Sequence, residues 1–381
     1  MKTRIERTSP IVQTFRVAKV QGMFDIPAAT EERFELDVDI PIEERDWQLG
    51  FITGASGSGK STIARELFGD EYREAGQIEW GDGALVDSFP KQLSPQDITG
   101  LLTSVGLSSA PAWLRPYRVL STGQQFRADL ARSLAEVAAG ELVVFDEFTS
   151  TVDRTVAKAV SVSVAKFLKR SPGTRFIAVT CHKDIEPWLQ PDWVYDTDRA
   201  EFRWGSVQPR PSVSVQLREG SREAWRLFHR HHYLTANLSP SARVFLAYVQ
   251  LGDDEERLAG FFSILPVMGH KGWWRFHRSV VLPDFQGMGI GNRSQEALCE
   301  WLWVHERKRM RSTTSSPSLV QHRRRHPAMW RLASAPKMNA VTGKTSTIKS
   351  SKGKVTTSAG RLTTNWVYVP EALRKDSADS A

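Results

Sequence analysis

The segment at residues 54–62 constrains the fold of this chain more than any other stretch. Its sequence, GASGSGKST, has the spacing G-x-x-x-x-G-K-[ST] between an apolar run at 49–53, which predicts a buried strand, and residues 63–68, which predict a helix. Glycines at this spacing let backbone N–H groups point into one concavity at the positive end of a helix, where a phosphate binds. The alternative is a glycine-rich turn before an ordinary helix. The candidate phosphate ligands are Gly54, Ala55, Ser56, Gly57, Ser58, Gly59, Lys60, Ser61 and Thr62.

Two carboxylates follow a second apolar run. Residues 141–147, ELVVFDE, predict a strand buried on both faces of a parallel sheet, and carboxylates at the end of such a strand lie where ligands bind. We therefore expect Asp146 and Ser61 to hold Mg²⁺ and Glu147 to polarise an attacking water. Residues 120–124, LSTGQ, open a helix and form a second helix N-terminus suited to phosphate. That helix carries Phe126, Leu130 and Leu134 on one face, with Arg127 on another.

Taken in order, these segments resemble an ATP-binding cassette (ABC) ATPase over about residues 12–205. The signature is LSTGQ, in which Thr122 replaces the usual second glycine, and the nearest counterpart of the glutamine loop is Gln92. The resemblance implies ATP and Mg²⁺ as ligands, with Glu147 and His182 as catalytic residues and His182 sensing the γ-phosphate. It also implies a homodimer closed over two ATP molecules. The residues that would act at that interface are Ser121, Gly123 and Gln124, on the partner's ATP, and Asp153, in the crossing loop 148–153.

Composition limits the class of protein. The 381 residues suggest two domains, possibly three, and no apolar run is long enough for a membrane span. The N-terminus lacks the apolar core of a signal peptide, and Cys181 and Cys299 have no metal-ligand spacing, so we expect a cytoplasmic protein. Residues 300–362 hold 14 Lys or Arg and two Asp or Glu, within a net charge of +8. This segment predicts either an anionic partner or a solvated tail.

Hydrophobic spacing predicts further elements in the first half. Residues 12–40 predict two or three half-buried strands, in which Phe15 or Phe24 either stacks on adenine or is a core aromatic. Residues 72–90 predict a hairpin or short strands. Residues 94–106 predict a helix with Ser94 as its N-cap.

The second half begins after a Pro-rich linker at 209–212. Residues 222–233 predict a helix, and residues 243–250, 258–265 and 274–282 predict three strands. The third strand runs into PDFQGMGIG, followed by a helix at 292–304. Small residues at this point would expose backbone N–H groups at a helix N-terminus, and the alternative is a tight strand-to-helix turn.

This order resembles a GNAT-type acyltransferase, whose diagnostic segment is a strand, then [QR]-x-x-G-x-[GA], then a helix. The resemblance implies that acyl-CoA binds through its pyrophosphate. The implied ligands are Gln286, Gly287, Met288, Gly289, Ile290 and Gly291. Many family members carry a tyrosine as general acid in the helix that we place at 317–326, and this helix has none. Asp284, His277 and Ser316 are the candidate substitutes.

Two clusters of side chains each have two interpretations. His229, His231 and His232 suggest a metal site, although no carboxylate or cysteine partner lies nearby at metal spacing. Arg323, Arg324 and Arg325 form a basic cluster near Trp330 that would bind nucleic-acid phosphates while the indole stacks on a base. The alternative is a solvated helix face.

Together these features predict an α/β chain in which a P-loop ABC ATPase domain (1–208) precedes an α+β GNAT-like acyltransferase domain (209–370) and a disordered tail (371–381). A final strand is expected at 365–369 and an exposed loop at 342–360. The pairing resembles phage-type nucleic-acid modification proteins, including the Mom-like GNAT group, and so predicts acylation of a nucleic-acid base. The rivals are a nucleic-acid-binding ATPase clamp with a non-catalytic second half, and a protein N-acyltransferase.

Overall fold

The computed structural model describes residues 1–136, 142–232, 237–338 and 362–375. These residues divide into two compact units. The first comprises Met1–Ile78, Val137–Thr151 and Leu168–Pro209, and the second comprises Glu79–Glu136, Val152–Phe167 and Arg210–Ala381. The division therefore differs from the predicted boundary at 208/209, because two helical segments of the first half cluster with the second half.

The first unit is built on a six-stranded, mostly parallel sheet, beside a separate antiparallel pair. The sheet order is β4-β5-β6-β3-β7-β8, and the pair is β1-β2. The strands are β1 Lys2–Pro10, β2 Glu31–Asp39, β3 Leu49–Thr53, β4 Tyr72–Glu74, β5 Leu142–Asp146, β6 Arg175–Thr180, β7 Trp193–Asp196 and β8 Glu201–Trp204. The helices are α1 Phe15–Met23, α2 Lys60–Phe68 and α7 Glu186–Leu189. The side chains of Ile52, Val144 and Ile177 form a core with those of β1 and β2.

The second unit contains the remaining helices and a seven-stranded sheet of order β14-β15-β13-β12-β11-β10-β9. Its strands are β9 Val213–Gly220, β10 Arg243–Leu251, β11 Arg257–Pro266, β12 Trp273–Val281, β13 Arg309–Thr314, β14 Trp330–Met338 and β15 Leu362–Tyr368. Its helices are α3 Pro95–Ser104, α4 Ala110–Trp113, α5 Thr122–Glu136, α6 Arg154–Leu168 (whose last residue belongs to the first unit), α8 Trp225–Phe228, α9 Ile290–Glu306, α10 Pro317–Arg325 and α11 Glu371–Lys375.

Helix α9 packs on one face of this sheet through Leu298 and Leu302, and α8 packs on the other through Trp225 and Phe228. The pairing of β12 with β13 is parallel and covers only Trp273–Arg275 and Arg309–Arg311. Within the described residues, β12 pairs with no strand on that side toward its carboxyl end, so its pairing with β13 leaves a gap between the two strands there.

Most predicted elements are confirmed, including the buried strands, α5, α9 and the final strand. The helix at 94–106 is observed as α3, and Ser94 caps it by accepting a hydrogen bond from the backbone N–H of Asp97. The strand at 141–147 is observed as β5, although Glu141 lies outside the described residues.

Four predictions are wrong at least in part. Residues 15–23 form a helix with no buried residue, so Phe15 and Phe24 are exposed rather than core aromatics. The segment 72–90 holds only the short strand β4 and one 3₁₀ turn. Residues 222–231 form short helical turns rather than one helix, and residues 371–375 of the supposed tail are helical. The loop predicted at 342–360 and the rest of the tail lie outside the described residues.

The predicted α/β class is confirmed, with a parallel sheet in the first unit and a mixed sheet in the second. In the part of the chain that the structure describes, we find no helix long and apolar enough to cross a membrane.

Candidate functional sites

The phosphate loop connects β3 to α2 as the sequence predicts. Strand β3 is fully buried between β6 and β7, and both neighbours run parallel to it. Since β5 is also parallel to β6, the segments that follow β3, β5 and β6 meet at one edge of the sheet. Topology therefore brings the phosphate loop, Asp146, Glu147 and His182 to the same edge.

Lys60 is folded into the phosphate loop. Its side chain is buried, and Nζ donates a hydrogen bond to the carbonyl oxygen of Ala55 at 2.5 Å. Gly59 adopts a left-handed conformation at the N-cap of α2, with φ +87°. An ammonium group beside a helix N-terminus fits a nucleotide's phosphates, because both favour negative charge.

An aromatic ring that the sequence did not indicate lies over this loop. A Cβ on Gly59 would come within 3.0 Å of the ring of Phe34 on β2. Phe34 is 37% exposed, so part of its side chain is accessible to a ligand. This position, rather than Phe15 or Phe24, places an aromatic ring against the phosphate loop.

Asp146 is buried at the end of β5, and both of its oxygens accept hydrogen bonds. Oδ1 accepts from the backbone N–H of Glu147 at 2.8 Å, and Oδ2 accepts from the hydroxyl of Tyr72 at 2.6 Å. Burial, followed by this hydrogen bond, raises the pKa of Tyr72, so the phenol stays neutral and continues to donate. Together with the hydroxyl of Ser61, the Asp146 carboxylate is a donor set that fits Mg²⁺.

Glu147 is exposed and has a left-handed backbone, with φ +54°. A non-glycine residue in this region is strained, and such residues cluster at functional sites. The following segment is fixed to His182, because the Thr149 hydroxyl lies 3.3 Å from Nδ1 of that histidine. Neither Tyr72 nor Thr149 is predictable from the sequence as a site residue, since a lone hydroxyl carries no motif.

The signature segment and Asp153 cap two helices of the second unit. The side-chain Oε1 of Gln124 accepts from the backbone N–H of Ser121 at 3.1 Å, at the start of α5. Asp153 Oδ1 accepts from the backbone N–H groups of Thr155 and Val156 at 2.9 and 3.1 Å, so it caps α6. The two segments that the ABC resemblance places at a dimer interface therefore each start a helix.

The turn between β12 and α9 has the geometry of an anion site. Gly287 and Gly289 both have φ +88°, and Gly289 is the N-cap of the 17-residue helix α9. Among the described residues, no acceptor is bonded to the backbone N–H groups of residues 287–289. The turn therefore presents backbone N–H donors that suit an anionic group such as a pyrophosphate. The side chain of Gln286 stabilises it by donating from Nε2 to the carbonyl oxygen of Val281 at 3.0 Å.

This turn is also packed against the helical segments of the first half of the chain. Lys166 on α6 donates from Nζ to the carbonyl oxygen of Met288 at 2.6 Å, and the backbone N–H of Ser108 donates to Oε1 of Gln286 at 3.1 Å. A Cβ on Gly287 would lie 2.1 Å from Oγ of Ser163 on α6. The turn is therefore held to these segments by hydrogen bonds and by close packing.

Arg127 on α5 completes this packing. It is 2% exposed, and its Nη1 donates to the carbonyl oxygens of Gly106 and Pro283 at 2.9 and 2.8 Å. Burial lowers the pKa of its guanidinium to about 10, and the carboxylates of Asp284 and Asp153 oppose that shift, so the group stays charged at neutral pH. Arg127 lies away from the apolar face of α5 in the sequence pattern, so its burial was not predicted.

The three candidate substitutes for a general acid lie in different elements, and Asp284 is in the 3₁₀ turn Pro283–Phe285 that follows β12. Ser316 is the N-cap of α10, and its hydroxyl lies 3.1 Å from that of Ser318. His277 lies on β12 at a register shift against β11, beyond the last residue that pairs with β13. Its Nε2 accepts from the backbone N–H of Ser239 at 3.2 Å. Burial, followed by the charges of Arg278 and Arg275, lowers the pKa of His277 to about 4, so at neutral pH it holds no proton on Nε2 to donate as an acid.

We expect this histidine to make stability depend on pH. Because its pKa is about 4 when folded and 6.5 for the free group, its contribution is fully present above pH 6.5 and is lost as the pH falls toward 4. After allowance for its partial exposure, the loss should be about 1–2 kcal/mol. Thermal midpoints of the chain and of His277→Gln, measured at pH 7 and pH 4.5, test this. An equal drop in both proteins would contradict it.

The arginine cluster on α10 is divided by burial. Arg323 is 1% exposed, its Nη2 donates to Gln295 and Ser312 at 2.9 Å, and its guanidinium lies 4.2 Å from the centre of the Trp330 ring. Trp330 is itself buried. The prediction that Arg323 binds phosphates while Trp330 stacks on a base is therefore wrong, because both side chains belong to the core. Arg324 and Arg325 are exposed and remain candidates.

The metal site suggested by His229, His231 and His232 is not supported by the described part of the chain. Within residues 1–136, 142–232, 237–338 and 362–375, the structure contains no group of three or more His, Cys, Asp or Glu residues that could hold a metal ion.

Comparison with known proteins gives a separate match for each half. Residues 212–321 match the model of the acetyltransferase (GNAT) family. The Fe(3+) ions import ATP-binding protein FbpC of Pseudomonas fluorescens (strain Pf0-1) is 30% identical over 164 residues, covering 34% of this chain and 46% of that protein. The nickel import ATP-binding protein NikE of Pseudomonas putida is 30% identical over 171 residues, covering 34% and 61%. The chain thus spans about half the length of these relatives.

Among solved structures, cbiO1 from Clostridium perfringens, described as part of the ABC transporter complex cbiONQ, is similar at 15% identity and a TM-score of 0.35. The match covers 46% of this chain and 82% of that one.

Proposed function

We propose that this chain, which joins an ABC ATPase domain to a GNAT acetyltransferase-family domain, is an ATP-hydrolysing acyltransferase that transfers an acyl group from acyl-CoA to a nucleic-acid base. The observation that carries the proposal is the contact between the turn at 283–289 and the helices α5 and α6. One helix starts at the signature segment, and the other starts at Asp153.

In the ATPase half, Lys60 exchanges the carbonyl of Ala55 for the β- and γ-phosphate oxygens, and Phe34 stacks on the adenine. Ser61 and Asp146 would hold Mg²⁺, which neutralises phosphate charge when it is bound. Glu147 orients the attacking water, and His182 senses the γ-phosphate. Two copies close over two ATP molecules, so that Ser121, Gly123 and Gln124 of one copy contact the nucleotide of the other.

In the acyltransferase half, the backbone N–H groups of residues 287–291 bind the pyrophosphate of acyl-CoA. The thioester then lies along β12, in the gap where β12 and β13 diverge. The acceptor nitrogen attacks the thioester carbonyl, a C–N bond forms, the C–S bond breaks, and coenzyme A leaves as the thiol with the proton of the amine.

The two activities are coupled through the second unit. The residues proposed to act across the interface cap α5 and α6. Closure of the ATP-bound dimer would therefore bring the N-terminal ends of both helices into contact with the partner's nucleotide and shift their positions. Arg127 on α5 and Lys166 on α6 donate hydrogen bonds directly to the carbonyl oxygens of Pro283 and Met288, so a shift of either helix would also displace the turn that binds acyl-CoA. Acyl-donor affinity then depends on the nucleotide state.

A nucleic-acid acceptor is supported by the positive charge of residues 300–362, which hold 14 Lys or Arg and two Asp or Glu. One observation favours a second candidate, a nucleic-acid-binding ATPase clamp, because α10 carries no tyrosine to act as general acid.

A transfer assay tests the proposal. The full chain is incubated with ¹⁴C-acetyl-CoA, ATP, Mg²⁺ and single-stranded oligonucleotides, and the products are digested to nucleosides for mass spectrometry. We expect an acetylated nucleoside that forms only when ATP is present. Acetyl-CoA binding without transfer would favour the clamp, and label on protein amines would indicate a protein N-acyltransferase.

A further inference from the structure

A cationic and aromatic surface occupies the closed end of the β12–β13 pair, away from the acyl-donor turn. We call it the Trp–Arg surface. It consists of Lys271, Trp273, Arg275, Trp303, Arg307, Lys308, Arg309 and Arg311. These residues come from the β11–β12 turn, the start of β12, the end of α9 and the start of β13.

Strand register gathers half of this set on one face of the sheet. Trp273 is paired with Arg309, and Arg275 with Arg311. Because side chains alternate along a strand, these four point to one face, whereas Trp274 and Met310 point to the other. Met310 is buried in the core and Trp274 packs against it, while Arg275 and Arg309 are exposed.

The guanidinium groups lie over the two indoles. Arg311 is 4.4 Å and Arg309 is 5.6 Å from the centre of the Trp273 ring, and Arg307 is 5.7 Å from the centre of the Trp303 ring. The flat faces of stacked guanidinium groups extend the aromatic platform. Nε of Arg311 is buried, whereas Arg307 and Arg309 are exposed and keep their edge N–H donors accessible.

Acidic residues are scarce in the segments that form this surface. The sequence has no Asp or Glu at 266–282 or at 307–325. Among the described residues, none of the six cations forms an ion pair. An open cleft of about 510 Å³, lined by His270, Lys271, Trp273 and Lys308 among others, adjoins the surface.

We infer that the Trp–Arg surface binds single-stranded nucleic acid. A chain of phosphates satisfies the cations, and unpaired bases stack on the indole and guanidinium faces, which paired bases in a duplex cannot do. The surface differs from the cluster on α10. This inference rests on the proposed function in one respect only. A nucleic-acid strand bound here would continue along β12, which is about 30 Å long, toward the gap between β12 and β13 in which the thioester is proposed to lie.

Binding of fluorescent 20-nucleotide DNA and RNA strands to the full chain tests the inference. Arg309→Ala/Arg311→Ala should weaken binding about tenfold or more. It should also lower the slope of log affinity against log salt by about 0.7 for each phosphate that the variant no longer neutralises. Trp273→Ala should weaken binding roughly 5- to 150-fold, and Trp273→Phe should restore most of it, because a phenyl ring still stacks. Comparison of the two strands shows whether DNA or RNA is preferred.

Two matched pairs serve as controls. Arg16→Ala/Lys19→Ala removes two exposed cations from α1 and should leave affinity and salt slope unchanged. Arg324→Ala/Arg325→Ala removes the exposed pair on α10, and an effect there that exceeds the effect of the Arg309/Arg311 pair would overturn the inference. An unchanged salt slope in Arg309→Ala/Arg311→Ala would also overturn the inference. So would poly-glutamate that displaced the fluorescent strand as effectively as unlabelled single-stranded nucleic acid does.

The result of the oligonucleotide-binding experiment can be distinguished from the result of the acetyl-transfer assay. Binding at this surface without nucleoside acetylation would sustain the inference and refute the acyltransferase proposal. Undiminished acetylation by Arg309→Ala/Arg311→Ala at limiting oligonucleotide would refute the inference and leave the acyltransferase proposal standing.

Discussion

Lys60→Ala is expected to abolish ATP binding. The Lys60 ammonium is the cation held inside the phosphate loop, where it bonds to the carbonyl of Ala55. A charged hydrogen bond contributes about 1.5–3 kcal/mol, so removal of two, to the β- and γ-phosphates, should weaken ATP binding at least about 100-fold. Calorimetric titration with ATP and Mg²⁺ measures this effect.

Lys169→Ala is the matched control, because Lys169 is an exposed lysine of the same unit that lies outside the loop. Its ATP affinity should equal that of the unmodified chain. If Lys60→Ala binds ATP as tightly as Lys169→Ala, the loop is only a turn and the ATPase assignment fails.

Gly289→Val should abolish acyl-CoA binding while ATP hydrolysis continues. A β-branched residue is strained at φ +88°, so the turn would rearrange and its N–H groups would no longer converge. A Cβ at this position meets only the flexible end of Lys166, at 3.8 Å, so the packing on α6 should survive. We expect acetyl-CoA affinity to fall at least about 100-fold, with the ATPase rate within about twofold of normal.

Gly287→Val provides the contrast. It has the same φ, but its side chain would collide with Ser163 and with the backbone of Gly106. We expect both acetyl-CoA binding and the ATPase rate to fall. If Gly289→Val retains acetyl-CoA binding, the segment 286–291 is only a strand-to-helix turn. If Gly287→Val leaves the ATPase rate unchanged, the packing of this turn on α6 does not couple the two activities.

The sequence predicted the parts of the sites that are encoded locally. The phosphate loop, Asp146 with Glu147, and the glycines before α9 each lie within nine consecutive residues, and the flanking strands and helices are predictable from hydrophobic period. The segment 12–40 was misread because the apolar spacing of α1 belongs to an exposed helix, so its hydrophobic residues mark no core face.

The hydrogen bonds that join distant segments could not be predicted. Arg127 and Pro283 are 156 residues apart, and Lys166 and Met288 are 122 residues apart. Neither pair leaves a periodic signal. Arg323 looked like one of three surface arginines, and only the position of Gln295, Ser312 and Trp330 shows that it is buried. Tyr72 and Phe34 were missed for the same reason, since each acts through a partner that only the fold brings near.

The most direct test of coupling is the acetyl-CoA affinity of Glu147→Gln, which should bind ATP without hydrolysing it, with and without saturating ATP and Mg²⁺. We predict that ATP changes this affinity at least about fivefold, and that saturating acetyl-CoA changes the ATP affinity by the same factor. Arg127→Lys lacks the planar guanidinium that donates to Gly106 and Pro283. When it is added to Glu147→Gln, the ratio of the acetyl-CoA affinities with and without ATP should fall toward one. Equal acetyl-CoA affinities with and without ATP, in a protein that binds both ligands, would contradict the account.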